Sequence, residues 1–250
     1  MSKKNKNCKK YNVLGALMIG ALSPAMAQAS SKIYSPYVTQ GELEVEYRGG
    51  YEIDKEDSKS GAWKQKFAVG YGITDYWHSE VYTVFKKSGT DGADPDLTAL
   101  EWANRFQFTE QGEYWLDVGA YTEVIYNTDN GADKAEVFLL LAKDVNKFSH
   151  VANIKLEREF GDNSADETEF GVSWSSRYRY KPEFEPGFEI YSDFGSLSNG
   201  SSFSQEKHQI GPVAYGSFGA MKYDAGVLFG ASQAAPDMEL KLLLEYEWYF

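Results

Sequence analysis

Residues 238–250 read Met-Glu-Leu-Lys-Leu-Leu-Leu-Glu-Tyr-Glu-Trp-Tyr-Phe. Met238, Leu240, Leu242, Leu244, Tyr246, Trp248 and Phe250 take alternate places, with Glu239, Lys241, Glu245, Glu247 and Tyr249 between them. A period of two sends the two sets to opposite faces of a β-strand. One face is apolar throughout and closes on three aromatics at every second position, while the other is charged. A wall with hydrocarbon on one side and water on the other needs that division.

Working outward, the same alternation recurs from Gln40 at about 18-residue intervals, the spacing of ~10-residue strands joined by turns in an up-and-down barrel. Strand one sets Leu43, Val45, Tyr47, Tyr51 and Ile53 outward against Glu42, Glu44, Glu46, Arg48 and Glu52. Strand two sets Trp63, Phe67, Val69, Tyr71 and Ile73 outward, with Lys64, Lys66 and the small residues Ala68, Gly70 and Gly72 inward. Strand three, about 76–86, is ambiguous. The choice that sends Trp77, Val81 and Phe85 to lipid places His78 and Glu80 inside. Strand four, about 98–108, puts Glu101, Arg105 and Gln107 inside and an awkward Asn104 outside; strand five puts Asp117, Tyr121 and Glu123 inside. A short sixth strand is expected over 134–143, and a tenth over 207–216 broken by Pro212. Short turns alternate with longer loops rich in Gly, Asp, Ser and Asn, as periplasmic turns and outer loops should. The count predicts twelve strands. A soluble β-sandwich also has short alternating strands, but it gives no reason for charges on nearly every inward face.

These patterns resemble the outer-membrane β-barrel proteins of bacteria, whose closing strand ends in Phe with aromatics at every second position before it. The resemblance implies an all-β, antiparallel transmembrane barrel in the outer membrane. It also implies that Tyr246, Trp248 and Phe250 form an assembly signal for the barrel-assembly machinery, and that outer-membrane lipids and lipopolysaccharide surround the product. A narrower likeness lies in Val69-Gly70-Tyr71-Gly72-Ile73-Thr74-Asp75 and His208-Gln209-Ile210-Gly211-Pro212. These segments are similar to outer-membrane barrels associated with phenol meta-pathway degradation, which implies uptake of an aromatic solute. It transfers no binding residues.

The other end of the chain carries Lys3, Lys4, Lys6, Lys9 and Lys10, an apolar run from Val13 to Leu22, and Ala27-Gln28-Ala29. This is the pattern of a cleaved secretory signal peptide over 1–29, with the barrel over 30–250. Cys8 precedes the apolar run, so it does not fit a lipid anchor, and cleavage leaves no cysteine for a disulfide, thiol nucleophile or Cys-based metal site. The formal net charge is −12, and loss of the leader's lysines deepens it, so nucleic acid is not expected as a partner. A mean hydropathy of −0.49 would suit a soluble protein, yet aromatics make up 16% of residues. Both hold in a barrel, where only every second strand residue meets lipid.

The inward faces carry the candidate functional residues. They are Glu42, Glu44, Glu46, Lys64, Lys66, His78, Glu80, Glu101, Arg105, Asp117, Glu123, Arg177, Arg179, Glu245 and Glu247. Acids outnumber bases roughly two to one there, so the lumen is either knitted shut by ion pairs or water-filled and cation-favouring. Closure brings Glu42, Glu44 and Glu46 beside Glu245 and Glu247, and the expected compensation is pairing with Arg177, Arg179 or Lys241; a divalent cation is the sharper alternative. No metal site or cofactor is assigned.

His78-Ser79-Glu80 is no catalytic triad, because neighbouring strand residues alternate faces. His208 is expected to cap the rim near Glu206. His150 and Ser176 share an outward face near the periplasmic end, which resembles outer-membrane phospholipase A, but no orienting acid accompanies them. The leading expectation is a monomeric, non-enzymatic small-solute channel, mildly cation-preferring. The alternatives are a plugged structural or interaction barrel and an envelope lipid hydrolase.

Overall fold

The computed structural model describes residues 31–57, 59–89 and 94–250, so the signal-peptide expectation lies outside the described residues. Twelve strands follow one another: β1 Glu42–Ile53, β2 Trp63–Thr74, β3 Trp77–Lys87, β4 Asp96–Gln107, β5 Asp117–Asn127, β6 Asp133–Val145, β7 Phe148–Phe160, β8 Thr168–Tyr178, β9 Glu185–Ser196, β10 Lys207–Phe218, β11 Met221–Gly230 and β12 Met238–Tyr249. Each pairs antiparallel with its sequence neighbours, and β1 pairs with β12 from Glu42↔Tyr249 to Ile53↔Met238, closing the ring. No strand edge is left open.

Period two governs each wall. In β1, Glu42, Glu44, Glu46, Arg48 and Glu52 are buried while Val45 and Tyr51 are exposed. In β3, His78, Glu80, Tyr82 and Val84 face in, which leaves Trp77, Val81 and Phe85 to the outside. Outward Asn104 is not stranded: its Oδ1 accepts the indole N–H of Trp77 at 2.9 Å, and Ser79 Oγ likewise accepts from Trp102 at 3.0 Å. Polar atoms on the outer wall thus satisfy aromatic donors.

Two strands depart from the sequence reading. β6 is longer than 134–143, since Val145 still pairs with Phe148 across the turn formed by Asn146 and Lys147, where Asn146 takes φ 56°. Asn tolerates the left-handed conformation that tight hairpins require. β10 runs through Pro212 to Phe218. Its pairing with β11 keeps one register from Ile210↔Phe229 to Val213↔Gly226 and lacks only the pairs at 211 and 212, the local gap that a missing proline N–H leaves.

The lumen holds something the strands do not supply. Residues 31–41, here called the strap, turn back from the start of β1 into the barrel. Gly41 anchors the turn at φ 76°, donating its N–H to Gly72 O at 2.8 Å and accepting from Phe250 N–H at 3.1 Å. A Cβ at Gly41 would lie 2.6 Å from Phe250 O, so both space and backbone angle demand glycine.

Candidate functional site in the barrel lumen

Small inward residues make room for the strap. A Cβ on Gly72 would come 1.9 Å from Thr39 O, and one on Gly119 would come 2.8 Å from Pro36 Cβ. Where the strap exits toward the Gly41 turn, the Tyr37 hydroxyl donates to Asp117 Oδ2 and Val38 N–H donates to Gln107 Oε1, at 2.8 and 2.7 Å. Burial first, and then the bond to Asp117, push the Tyr37 pKa above its ordinary value.

At mid-barrel Tyr34 is the hub. Its ring stacks on Tyr121 with centroids 4.0 Å apart and packs with Tyr82, Leu140, Phe138 and the small Ala68 and Ala103. Arg48 donates to the hydroxyls of Tyr34 and Tyr82 at 2.9 and 2.7 Å and ion-pairs with Glu46. The Tyr34 backbone has no strand beside it, and Asn153 stands in, accepting from its N–H and donating to its carbonyl. The strap then crosses the lumen: Ile33 packs on Tyr191, Val213, Tyr215 and Leu228, and Ser31 O accepts from Tyr191.

The acidic wall forms where β1 meets β12, with Glu44 opposite Glu247 and Glu46 opposite Glu245. Like charges set directly across a ladder repel. Lys32 of the strap answers them, its Nζ 2.6 Å from Glu46, 3.7 Å from Glu44 and in contact with Glu245. Glu247 pairs with Lys222 and accepts from Tyr249 at 2.8 Å. The compensation expected from Arg177, Arg179 or Lys241 does not occur. Arg177 pairs with Glu185 and Arg179 with Asp144, both near the end of the barrel where β1 begins and β12 finishes but on the opposite side of the ring, while Lys241 is held by Glu189 at 2.6 Å. The missing cation came from a segment outside the strands.

The remaining candidates form two groups. His78 Nδ1 lies 2.9 Å from Glu80 and 3.2 Å from Arg105, which itself reaches Glu80 at 3.6 Å. Toward the outer loops Lys66 pairs with Glu101, with Lys64 two residues along the same face and Tyr121 donating to Glu123 at 3.2 Å. From there a row of carboxylates runs from strand to strand, Glu123 facing Glu136, Glu136 facing Glu157, and Glu157 facing Glu169. Lys134 and Lys155 bridge this row, at 2.5 and 2.7 Å from Glu157.

Outside the barrel His150 Nδ1 and Ser176 Oγ do meet, at 2.6 Å. Ser176 Oγ also accepts from Trp174 at 3.0 Å, and among the described residues no carboxylate orients His150. His208 sits at the outer rim, 3.0 Å from Glu206 and stacked on Phe203.

A closed twelve-strand wall, apolar outside and ionic inside, defines the class by its fold: a transmembrane β-barrel of the outer-membrane kind. The chain matches no family model and no curated protein by sequence. Among solved structures it is similar in fold to an outer-membrane channel from Pseudomonas putida F1, at TM-score 0.63 and 12% identity over 89% of this chain and 99% of that one. It is also similar to the KdgM porin, solved alone and in complex with disordered oligogalacturonate, at TM-score 0.56 and 7% identity over 82% of this chain and 99% of the porin.

Proposed function

We propose that the protein is a small-solute channel of the bacterial outer membrane, mildly cation-preferring and held closed by its own N-terminal strap. One observation carries this reading: at mid-barrel the core is completed by Tyr34 of the strap, which packs between Ala68 and Ala103 and against Tyr82, Tyr121 and Leu140, and nearer its exit the strap lies against Gly72 and Gly119. The wall's own large side chains thus leave a gap at the centre that a separate segment fills. Here the closure rests on Lys32, the Asn153 clamp and aromatic contacts, which a moving segment can break and remake.

Cation preference rests on the carboxylate row from Glu123 to Glu169 and the excess of acids on the inner wall. Oligogalacturonate, the acidic sugar in the KdgM complex, would be repelled by such a lining, so the fold likeness does not extend to that ligand. Planar-bilayer recording tests the reading. Deletion of residues 31–39 should raise single-channel current, with a reversal potential in a KCl gradient that favours K⁺. A deletion barrel that inserts but stays non-conducting, or that favours Cl⁻, would establish the plugged barrel or an anion pore instead.

A further inference from the structure

We propose that Glu42, Glu44 and His78 bind one divalent transition-metal cation, zinc being the type, on the inner wall at the periplasmic mouth. Oxygen or nitrogen atoms of these three residues lie within 4.8 Å of one another. Carboxylates alone would say little, and the deciding observation is His78: it is 1% exposed and its Nε2 has no hydrogen-bond partner. Buried ring nitrogens are almost always paired.

The ring is held by its other nitrogen, which leaves Nε2 as the one free to bind a ligand. Nδ1 contacts the Glu80 carboxylate at 2.9 Å, closer than Arg105 at 3.2 Å, so the tautomer that donates from Nδ1 to Glu80 is the one that leaves the Nε2 lone pair for a metal. The edge of the ring that carries Nε2 lies over β2, where a Cβ on Gly70 would come 2.7 Å from Cε1 and 3.0 Å from Nε2. Gly70 is the partner of Glu44 in the β1–β2 ladder. Glycine at that position therefore lets an imidazole on β3 reach across to carboxylates on β1.

Electrostatics point the same way. The adjoining cluster of Glu44, Glu46 and Glu245 already contains a cation, the Lys32 ammonium. Among the described residues no lysine or arginine pairs with Glu42, and Lys32 comes no nearer to Glu44 than 3.7 Å, so the second cluster sets two carboxylates beside the unpartnered Nε2 of His78. One imidazole and two carboxylates, with a carboxylate hydrogen-bonded behind the imidazole, form the donor set of a catalytic-type zinc site that leaves a coordination position to water. The imidazole disfavours Mg²⁺ and Ca²⁺, which take oxygen ligands. Glu44 is common to both clusters, so a bound cation would share a ligand with the residue that anchors the strap. The site does not depend on whether the pore conducts.

Equilibrium dialysis of the untagged protein in detergent micelles against buffered Zn²⁺ tests the proposal, with Co²⁺ absorption as a second probe of the ligand field. One equivalent retained in excess Mg²⁺ is expected. His78→Gln and Glu42→Gln should each weaken binding at least ~10-fold, while the outward His150→Gln leaves it unchanged. Heat-modifiable gel migration reports whether each variant is folded. In the wild-type protein, where no variant need fold, the ¹⁵N resonance of His78 Nε2 should shift on adding zinc. No retained equivalent, displacement by equimolar Mg²⁺, binding undiminished in both folded variants, or an unmoved His78 resonance would each overturn the assignment.

Discussion

The backbone N–H of Tyr34 donates to Asn153 Oδ1 and the Asn153 amide donates back to the Tyr34 carbonyl, both at 2.8 Å. One carboxamide thereby replaces the neighbouring strand that this stretch of backbone lacks, leaving neither group of Tyr34 orphaned in the lumen. Asn153→Ala removes both bonds at once. At ~1 kcal/mol net for each, docking of the strap should weaken by about 2 kcal/mol, roughly 30-fold. Hydrogen exchange checks this: the Tyr34 amide should lose protection while amides in β7 and β8 keep theirs. Equal protection in mutant and wild type would show that the aromatic stack alone holds the strap.

Tyr37 gives the strap a pH dependence whose sign is fixed. Burial and the Asp117 bond raise the folded-state pKa of the hydroxyl above its unfolded value. A raised pKa contributes stability that is complete below the unfolded value, near ~10 for tyrosine, and is lost as pH climbs through the folded one. Guanidinium midpoints followed by tryptophan emission should therefore differ between wild type and Tyr37→Phe by a constant amount from pH 6 to 9. The gap should shrink above pH 10. A gap that instead closes on acidification would assign the effect to another group.

The wall was legible in the sequence because lipid imposes a strict period of two, which survives in β1, β5, β8 and β12 despite the low mean hydropathy. The strap was not. Its residues show no alternation, and its partners lie far along the chain, Lys32 with Glu245 and Tyr34 with Asn153. Pattern reading sees near neighbours, whereas these contacts exist only once the ring has closed. Two signals could have betrayed it: the inward column Ala68, Gly70, Gly72 on β2, which leaves a groove, and the inward Tyr82, Tyr121, Tyr191 and Tyr215, too aromatic for a plain water-filled wall. Asn104 looked like an error in its row because the pattern shows polarity and not the indole that meets it.

The groove itself can be tested at Gly72. A methyl there would press on the backbone carbonyl of Thr39 at 1.9 Å, which no side-chain rotation relieves. Gly72→Ala should lower stability by ~1–3 kcal/mol, as overpacking does, and should raise bilayer current by displacing the strap at its exit. Gly200, where a methyl would meet nothing within 4 Å, is the control, and Gly200→Ala should stay within ~0.5 kcal/mol of wild type. Equal effects at both positions would remove the steric account of the groove.

His150 and Ser176 supply the sharpest contrast between a hydrogen-bonded pair and a working dyad. A nucleophilic serine needs a base that is itself oriented, and an oxygen free to attack. Here the Ser176 oxygen accepts the Trp174 indole N–H while bonded to His150 Nδ1, and its residue is only 8% exposed. The imidazole lies among the rings of Phe148 and Trp174, with no carboxylate behind it among the described residues. The pair reads as a knot that satisfies polar atoms on the outer wall, where unpaired donors are costly. Fatty-acid release from phospholipid vesicles by the purified protein should therefore match protein-free controls, and Ser176→Ala should leave it unchanged. Its chief effect should be a loss of about 1 kcal/mol in stability, from the hydrogen bonds that the hydroxyl now makes. Lipid turnover above background that Ser176→Ala abolishes would make the protein an envelope hydrolase.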